Sequence, residues 1–281
     1  MTGRVRIGTS SWSAKEWVGP FYSEGTEPKD FLTEYAKRFD SVETDSTYYR
    51  VPSKTMVKTW ADKTPDDFRM SAKFPRSVCH AGEGPRPDPD RIMDLDRTAK
   101  DRHDFFTAML ELGDKCGPLV LQFPYFNKTA FPNPKPFLDR LDTFLAAQPG
   151  DFRYAVEIRN KWWIKADFLE ILRRHSAAMV LVDQAWMPHA DELPKRLDPV
   201  TTDFAYVRLL GDRKEIEAIT KTWEREVIDR TEKLVRWAKV IRELRERLPE
   251  TFAFANNHYA GHGPSTVRKL SELLESGNTE A

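Results

Sequence analysis

Short apolar segments alternate along the chain with longer segments of helical periodicity. Eight apolar segments have the length and composition of buried strands, and they are residues 5–9, 41–45, 68–73, 117–123, a segment beginning at 154, 178–183, 204–209 and 252–256. The segments predicted as helices are residues 28–39, 53–60, 91–112, one that ends at 147, 167–175, 229–248 and a last one from 264. Within 229–248 the apolar positions recur at spacings of three and four, as on the core-facing side of a helix.

This alternation of strand and helix predicts a single α/β domain over residues 1–281, folded as a (β/α)8 TIM barrel. A doubly wound open sheet is the alternative. It would place a glycine-rich turn after the first strand, and Gly8-Thr9-Ser10-Ser11 lacks that pattern. The barrel is therefore the predicted fold.

The fifth predicted strand carries two opposite charges near its end. Glu157 and Arg159 stand two residues apart and share one face of the strand, while Val156 and Ile158 share the other. Charges on an inner face are costly unless they pair or bind a ligand. Two interpretations follow: a buried Glu157–Arg159 salt bridge that plugs the barrel, or a functional site.

Polar residues end most of the other predicted strands as well. Those collected at the carboxyl ends are Glu43, Asp45, Lys73, Gln122, Glu157, Arg159, Asp183, Arg208 and Asn256, with His80 in the loop after the third strand. In a TIM barrel this face holds the functional groups. Each residue alone fits a satisfied polar network, but their shared position favours a ligand site.

The positive charges in this set indicate what the site binds. Lys73, Arg159 and Arg208 suit a phosphate or carboxylate group. Residues 257–266 run into the last predicted helix with Gly263 and Pro264 at its start, where backbone N–H groups and the helix dipole hold phosphate in many barrels. The alternative there is an ordinary loop that begins a helix.

Acid–base chemistry supplies the catalytic hypothesis. Glu43 or Glu157 would act as base and Lys73 or His80 as acid, with Asp183 as a further catalytic candidate. Serine hydrolase chemistry is not supported, because the chain has no Gly-x-Ser-x-Gly elbow.

A metal site would have to use the same carboxylates. Glu43, Glu157 and Asp183 with His80 or His258 would suit Mg2+ or Mn2+ more than zinc. The interleaved basic residues favour neutralisation of the carboxylates by Lys and Arg instead. We therefore expect no resident cofactor and leave a divalent metal open.

Aromatic residues crowd the predicted loops around this face. They are Trp12, Trp17, Tyr22, Tyr49, Phe126, Trp162, Trp163, Trp186 and Tyr259. Such rings can stack on a base or a sugar, although we expect about half of them to be core or loop anchors. The ligand-binding candidates are Trp12, Tyr49, Gln122, Arg159, Arg208, Asn256 and Asn257.

Composition narrows the class of protein. The 44 Lys and Arg residues balance the 44 Asp and Glu residues, unlike a protein that coats nucleic acid, although a local basic site is compatible with this balance. Cys79 and Cys116 lie far apart and in no metal-binding spacing, so we expect small buried side chains rather than a disulfide framework. Because no apolar run reaches membrane-spanning length and no secretion signal is apparent, we expect a cytoplasmic protein without a membrane partner.

Several short segments, taken in order, carry a family resemblance. They are residues 8–12, 39–49, 68–73, 122–124, 155–159, 206–208 and 254–257, with Pro75, His80 and Gly211. Together they resemble the YecE-like family, domain of unknown function 72, from about Arg6 to the last predicted helix. The specificity lies in the order and spacing of the segments rather than in any one motif. The resemblance implies a TIM barrel and no established reaction, and comparison of the family with endonuclease IV-like barrels is an analogy of fold.

The chain departs from the family pattern at four positions. Ser11 replaces the glycine usual before the first tryptophan, and Asp45 replaces an asparagine after the glutamate of the second strand. Asn160 and Leu210 stand where histidines are common in the family. A mechanism that needs either histidine is therefore not expected here.

Two functions from different classes follow. The first is an enzyme-like pocket for an anionic small molecule, such as a phosphorylated compound or a nucleotide or sugar derivative. The second is a non-catalytic barrel that binds nucleic acid by stacking bases on the rim aromatics, and steep loss of binding with salt would favour it. Substrate, reaction type and oligomeric state are left open.

Overall fold

Eight parallel strands form the inner layer of the molecule. The structure, a computed structural model, describes residues 2–193 and 197–276. The strands are β1 (Arg4–Thr9), β2 (Ser41–Thr44), β3 (Arg69–Lys73), β4 (Cys116–Gln122), β5 (Tyr154–Glu157), β6 (Ala178–Asp183), β7 (Phe204–Leu209) and β8 (Glu250–Ala255). All the predicted strands are present. The predicted domain also includes residues 1, 194–196 and 277–281, which lie outside the described ranges.

Helices follow most of the strands and form the outer layer. In the described ranges they are α1 (Phe31–Ala36), α2 (Ser46–Tyr49), α3 (Lys54–Asp62), α4 (Arg76–Cys79), α5 (Ala99–Met109), α6 (Lys135–Ala146), α7 (Ala166–Arg174), α8 (Arg213–Ile219), α9 (Thr231–Arg247) and α10 (Gly263–Ser276). Short 3-10 turns include Leu110–Lys115, Lys161–Trp163 and Asn257–Tyr259. None of the helices in these ranges has both the length and the apolar character needed to cross a membrane.

The strands pair in the order β1-β8-β7-β6-β5-β4-β3-β2, and every pair is parallel. The register places Gln122 beside Glu157 and Arg208 beside Phe254. All carboxyl ends therefore meet at one end of the barrel, which we call the mouth. The predicted (β/α)8 fold is confirmed.

β1 and β2 stand at the two ends of the pairing order and meet through a side chain. The Tyr35 hydroxyl accepts a hydrogen bond from the Thr9 N–H at 2.7 Å and donates to the Ser41 carbonyl at 3.0 Å. Gly8 has no room for a side chain here, because a Cβ would lie 1.9 Å from the Ser41 carbonyl oxygen. The close approach of the two strands at Gly8 completes the barrel.

Two hydrophobic clusters separate the two faces of the sheet. The residues that fill the barrel interior are Val120, Ala155, Ala178, Val180, Val182, Phe204, Tyr206, Leu210, Phe252 and Phe254. The alternate strand positions, such as Leu121, Val156 and Leu181, belong to the larger cluster that packs against the helices. Since successive side chains alternate faces, this division sets the direction of every strand-end charge.

The predicted helices over 28–39 and 91–112 are both shorter in the structure, where α1 covers Phe31–Ala36 and α5 covers Ala99–Met109. The prediction over 91–112 was wrong for the first residues, because α5 begins at Ala99 and turns precede it. Met93 has a left-handed φ of 55°. The Asp94 carboxylate accepts from the N–H groups of Asp96 and Arg97 at 3.1 and 3.0 Å. A side chain that binds the backbone ahead of it in this way favours a turn over a helix.

Candidate functional site

Four charged residues from four strands meet inside the barrel at its mouth. Glu43 in β2, Lys73 at the end of β3, Glu157 at the end of β5 and Arg208 in β7 are all buried. Their alternating positions turn them inward, toward one another rather than toward the helices. The structure brings these four predicted site residues together.

Arg208 links the two glutamates. Its Nε and Nη2 donate to Glu43 Oε1 at 3.2 and 2.7 Å, and its Nη1 donates to Glu157 and, at 2.8 Å, to Gln122 Oε1. All three guanidinium nitrogens are therefore engaged by acceptors of the protein. Arg208 was predicted to hold an anionic ligand, and in the structure it bridges two buried carboxylates, with most of its N–H groups donating to acceptors of the protein.

Tyr206 is a member of this network that sequence reasoning missed. Its hydroxyl donates to Glu43 Oε2 at 2.8 Å, from the same inner face of β7 as Arg208. The two-residue spacing from Arg208 could have placed it there. In an apolar strand, however, a tyrosine has the pattern of an ordinary core residue.

A second layer of charges lies closer to solvent. Arg159 donates through Nε to Glu157 Oε1 at 2.9 Å, so the predicted Glu157–Arg159 pair is present. Lys73 forms an ion pair with Asp45 and lies 3.7 Å from Glu43 Oε1. The side chains of Asp45 and Arg159 are 38% and 21% exposed, whereas those of both glutamates are fully buried. The site has a closed floor and an open rim.

We call the six charged residues of floor and rim the mouth cluster: Glu43, Asp45, Lys73, Glu157, Arg159 and Arg208. Its three acidic and three basic side chains balance in charge. Balance of this kind offsets part of the cost of burying each charge.

The buried glutamates are held in the ionised form. Burial alone would raise the pKa of Glu43, but the charges of Arg208 and Lys73 outweigh burial and lower it. Burial acts on Glu157 in the same direction, and Arg208 and Arg159 bring the pKa of Glu157 down to about 2. A carboxylate that resists protonation so strongly is a weak base at neutral pH.

Asp45 behaves differently from the two glutamates. Its pKa is raised, first by loss of hydration in the mouth and then by the negative charge of Glu43, although Lys73 and Arg208 act against the shift. Its side chain is 38% exposed, although the Oδ1 atom that meets Lys73 is shielded from solvent. Asp45 therefore combines a raised pKa with partial access to solvent, unlike the two glutamates.

Asp183 does not join the mouth cluster. Its neighbour Val182 faces the barrel interior, so Asp183 points outward to the helices. There its carboxylate accepts from Trp237 Nε1 at 2.8 Å and from the Tyr259 hydroxyl at 3.1 Å, with Lys233 at 3.4 Å. The expectation that it lies with the other strand-end charges was wrong, and its contacts tie β6 to α9.

His80 makes no hydrogen bond or ion pair with the mouth cluster in the described ranges. Its Nδ1 accepts from the Gly82 N–H at 3.3 Å, and its Nε2 lies 3.4 Å from the Pro85 carbonyl and 3.5 Å from Arg76. Burial and the neighbouring charge of Arg76 lower the pKa of His80. These contacts brace the loop after α4, so the structure gives His80 a local structural position.

The start of the last helix is closed by side chains of the protein. Asn257 Oδ1 accepts from the Gly263 N–H at 2.9 Å, and His262 Nδ1 accepts from the Ser265 N–H at 3.3 Å. Pro264 has no N–H to offer. The donors predicted to hold phosphate are therefore used as helix caps, and Asn257 is one of the caps.

Asn256 lies between β8 and this cap, partly buried. Its Oδ1 is shielded from solvent and meets no hydrogen-bond donor in the described ranges. A buried acceptor of this kind is unusual in folded proteins. Asn256 therefore stays a ligand-binding candidate.

The predicted rim aromatics divide into core and surface residues. Those in the core are Trp17, Tyr22, Phe126, Trp163 and Tyr259. Trp12 packs edge-on against Trp60 of α3, with ring centroids 5.5 Å apart. Tyr49, Trp162 and Trp186 are 79%, 76% and 45% exposed. Five of the nine aromatic residues are therefore core residues, in agreement with the expectation of about half.

His258 is a rim residue that was considered only as a metal ligand. It follows β8 and packs edge-on against Trp223, with ring centroids 4.8 Å apart. Its Nε2 lies 3.4 Å from Glu217 Oε1. Burial and then the charge of Arg213 lower its pKa against the opposing effects of Glu217 and Asp45.

The metal alternative gains no geometric support. Within residues 2–193 and 197–276, no group of three or more His, Cys, Asp or Glu side chains is arranged to hold a metal ion. The carboxylates of the mouth instead pair with Lys73, Arg159 and Arg208.

Fold and site together define an α/β barrel protein whose polar site lies at the carboxyl ends of the strands. The chain belongs to the family described as "Protein of unknown function DUF72", which it matches over residues 6–281. It is similar to the UPF0759 protein YecE of Escherichia coli, with 31% identity over 172 residues, covering 60% of this chain. That match spans about half of YecE, 54% of its length. The UPF0759 protein YunF of Bacillus subtilis is 23% identical to this chain, and the alignment covers 96% of this chain and 95% of YunF.

Solved structures support the same fold. A DUF72 family protein from Thermotoga maritima has a TM-score of 0.72 and 27% identity, covering 96% of this chain and 99% of that one. A DUF72 family protein from Enterococcus faecalis has a TM-score of 0.69 and 19% identity, over 97% of this chain and 96% of its own. A psychrophilic glycoside hydrolase family 10 endo-beta-1,4-xylanase has a TM-score of 0.51 and 10% identity, over 96% of each chain. This likeness concerns the barrel fold alone.

Proposed function

We propose that the mouth of the barrel is an enzyme-like pocket for a small anionic molecule, such as a phosphorylated compound or a nucleotide or sugar derivative. The carrying observation is an excess of positive charge on one part of the rim. The segments 46–53, 123–134 and 158–165, which follow β2, β4 and β5, contain no Asp or Glu and five basic residues: Arg50, Lys128, Arg159, Lys161 and Lys165. Because Arg159 already belongs to the balanced mouth cluster, these segments add four positive charges to it, and this excess attracts an anion.

Arg159 supplies the docking group. Its Nε and Nη2 face Glu157, while Nη1 meets no acceptor in the described part of the chain. The side chain is partly exposed at the mouth. A phosphate or carboxylate bound at this free edge would receive a charge-assisted hydrogen bond, with Lys73 as a second positive charge in the mouth.

Proton transfer, if the pocket is catalytic, falls to Asp45 in this proposal. Glu43 and Glu157 were the first candidates, but their lowered pKa values make them poor bases. Asp45 combines a raised pKa with exposure and an ion pair to Lys73. In this scheme the glutamates orient Arg208 and Arg159 instead.

The test compares ligand-induced stabilisation of the wild type and Arg159→Gln. Inorganic phosphate, ribose 5-phosphate, mononucleotides and short oligonucleotides are screened by thermal shift, since a ligand that binds the native state raises its melting temperature. Arg174→Gln is the matched control, because Arg174 is an exposed arginine paired with Asp142 far from the mouth. We expect a shift with a small anion that is lost in Arg159→Gln and kept in Arg174→Gln.

Other results would count against the proposal. A shift that survives in Arg159→Gln would place the ligand elsewhere, and the absence of any shift with small anions would remove the anion pocket. A folded Arg159→Gln protein, checked by circular dichroism, keeps these outcomes separate from simple destabilisation.

A single-stranded nucleic acid is the second candidate ligand. It is favoured by the exposed aromatic rings of Tyr49 and Trp162 beside the basic rim, because stacking and positive charge together bind single strands. Affinity that grows with oligonucleotide length and falls steeply with salt would select this alternative. Mononucleotide binding with a shallow salt dependence would select the pocket.

A cytoplasmic location belongs to the proposal. Phosphorylated small molecules are plausible ligands there, and Cys79 and Cys116 are both free thiols, as a reducing compartment allows.

A further inference from the structure

In two loops at the mouth, an exposed aromatic residue is followed directly by a buried aromatic residue. Tyr125, after β4, is 59% exposed and precedes Phe126, which is 2% exposed. Trp162, after β5, is 76% exposed and precedes Trp163, which is 7% exposed. In each loop a buried ring anchors the backbone directly beside an exposed ring.

The two loops are fastened to each other. Phe126 and Trp163 stack at 10°, with centroids 6.1 Å apart. The Phe126 N–H donates to Asn160 Oδ1 at 2.9 Å, and Asn160 Nδ2 donates to the Phe126 carbonyl at 2.8 Å. Asn160 is itself buried. We call this unit the aromatic platform: Tyr125, Phe126, Asn160, Trp162 and Trp163. Because its backbone is already ordered, its exposed rings can bind with little further loss of entropy.

The exposure of these rings is a property of the mouth. In the described part of the chain, the large exposed hydrophobic residues divide by type. The aromatic ones, Tyr49, Tyr125, Trp162 and Trp186, all follow the carboxyl end of a strand. The aliphatic ones, Met56, Leu110, Ile219 and Val235, lie farther along the chain from the carboxyl end of any strand, in helical segments. A random scatter of exposed apolar side chains would not separate in this way.

Positive charge surrounds the platform. Lys161 Nζ lies 5.0 Å from the centroid of the Trp162 ring, so it covers one face of the ring by a cation–π contact. Arg159 stands in the same loop, three residues before Trp162, and Lys128 stands in the partner loop. A ring that stacks on the platform therefore lies next to groups that bind an anion.

The basic region is also bounded. Strand β3 lies beside β4, and its following loop carries five acidic residues against four basic ones, Arg76, Arg86, Arg91 and Arg97, so it has no excess of positive charge. Strand β6 lies beside β5, and Asp191 and Glu192 in its following loop pair with Arg236. A long polyanion would extend from the basic segments onto loops without a positive excess, whereas a single ring with one anionic group fits within the basic segments.

From this arrangement we propose that the aromatic platform binds the base of a nucleoside phosphate whose phosphate group lies on Arg159. The inference rests on the proposed function and narrows its substrate class from small anions in general to nucleotides. Stacking on the exposed rings supplies the preference for a planar base, and the guanidinium supplies the anion contact.

The experiment compares AMP, GMP, CMP and UMP with ribose 5-phosphate, which has a phosphate and sugar but no base. Dissociation constants are measured by calorimetry on the full chain. We expect the preferred mononucleotide to bind at least about 10-fold more tightly than ribose 5-phosphate. Trp162→Ala and, separately, Tyr125→Ala should reduce this ratio while leaving ribose 5-phosphate binding unchanged. Trp162→Phe should restore most of the ratio.

Leu110→Ala is the control, because Leu110 is 61% exposed but lies outside the mouth, and it should leave the ratio unchanged. Equal binding of ribose 5-phosphate and all mononucleotides would overturn the inference and leave the anion pocket standing. Binding of oligonucleotides alone would overturn it in favour of a nucleic-acid site. If wild type binds neither ribose 5-phosphate nor any mononucleotide, the anion pocket and the inference both fall.

Discussion

Both ends of the barrel carry networks of charged residues, but the side chains of the two networks differ in how deeply they are buried. At the amino-terminal end the network consists of Arg4, Arg6, Asp40, Asp67, Arg153 and Glu250. Most of its members reach solvent, with side chains of Arg4 and Asp67 that are 46% and 59% exposed, although the side chain of Arg6 is 4% exposed. In the mouth, by contrast, Glu43 and Glu157 are fully buried and Arg208 is 2% exposed.

This difference separates ordinary surface stabilisation from a costly arrangement. Exposed pairs lose little hydration and contribute little. Buried pairs must overcome a large dehydration cost, and apolar side chains would fill the same space more cheaply. Phe252 and Phe254 show that the barrel interior accepts such side chains. The floor of the mouth, formed by Glu43, Glu157 and Arg208, is a buried plug, whereas the plug considered from the sequence paired Glu157 with Arg159. Asp45 and Arg159 form the open side that a plug alone would not need.

The largest expected effect comes from breaking the buried network. Arg208→Met should lower the free energy of unfolding by about 3–5 kcal/mol, because it leaves two buried carboxylates without their shared partner. Arg4→Met at the other end should cost about 1 kcal/mol or less. Urea unfolding of both variants measures the difference. Adding Glu157→Gln to Arg208→Met should recover part of the loss, and equal losses at the two ends would contradict the comparison.

Acid should affect the mouth more than the amino-terminal end. Since the pKa of Glu157 is about 2 in the folded protein against a usual 4.5, its stabilising contribution is complete above pH 4.5 and is lost as the pH falls toward 2. The loss is on the order of 3 kcal/mol. Unfolding free energies of wild type and Glu157→Gln across this window measure it, and the variant should show a flatter profile. The matched Asp67→Asn variant should follow wild type closely, because solvent screens Asp67.

A smaller effect is expected from removing the hydrogen bonds between the Asn160 side chain and the Phe126 backbone at the mouth. Asn160→Ala should cost about 1–3 kcal/mol, because two buried backbone groups of Phe126 lose their partners. Hydrogen exchange at residues 124–127 should accelerate in this variant. Asp40→Ala at the amino-terminal end, which removes an acceptor for the Ile7 N–H from a side chain 33% exposed, should cost less. Unchanged exchange at 124–127 would show that the two loops are held by ring packing alone.

The smallest effect is that of salt. Raising the ionic strength to about 1 M should bring the cost of Arg4→Met close to zero, because screening acts within about 3 Å under these conditions. The cost of Arg208→Met should stay nearly constant, since its partners are out of reach of solvent ions. Repeating the urea unfolding at low and high salt measures both. A parallel decrease in the two variants would mean that the mouth is as open to ions as the amino-terminal end.

Sequence patterns predicted the direction of the strand-end charges where polar and apolar residues alternate along the strand. They did not predict it where the strand is apolar on both faces. Glu43 and Asp45 share a face in the β2 segment, and Glu157 and Arg159 do so at the end of β5, as the two-residue period requires. β6 is apolar on both faces, so nothing in its sequence shows which way Asp183 points. In loops the limit is different. Asn257 and His80 bind nearby backbone groups, and side-chain chemistry alone does not tell such a contact from a ligand contact.

Local patterns were enough to define eight strands, a parallel barrel and a ring of charges at the carboxyl ends, because hydrophobic period and strand direction are properties of short segments. Three-dimensional packing alone set which of those charges are saturated and which stay open. Arg208 meets Glu43 across 165 positions of the chain and Glu157 across 51. Residues this far apart in the chain can form hydrogen bonds only once the barrel has folded. The bridging role of Arg208 and the free edge of Arg159 are therefore properties of the folded protein.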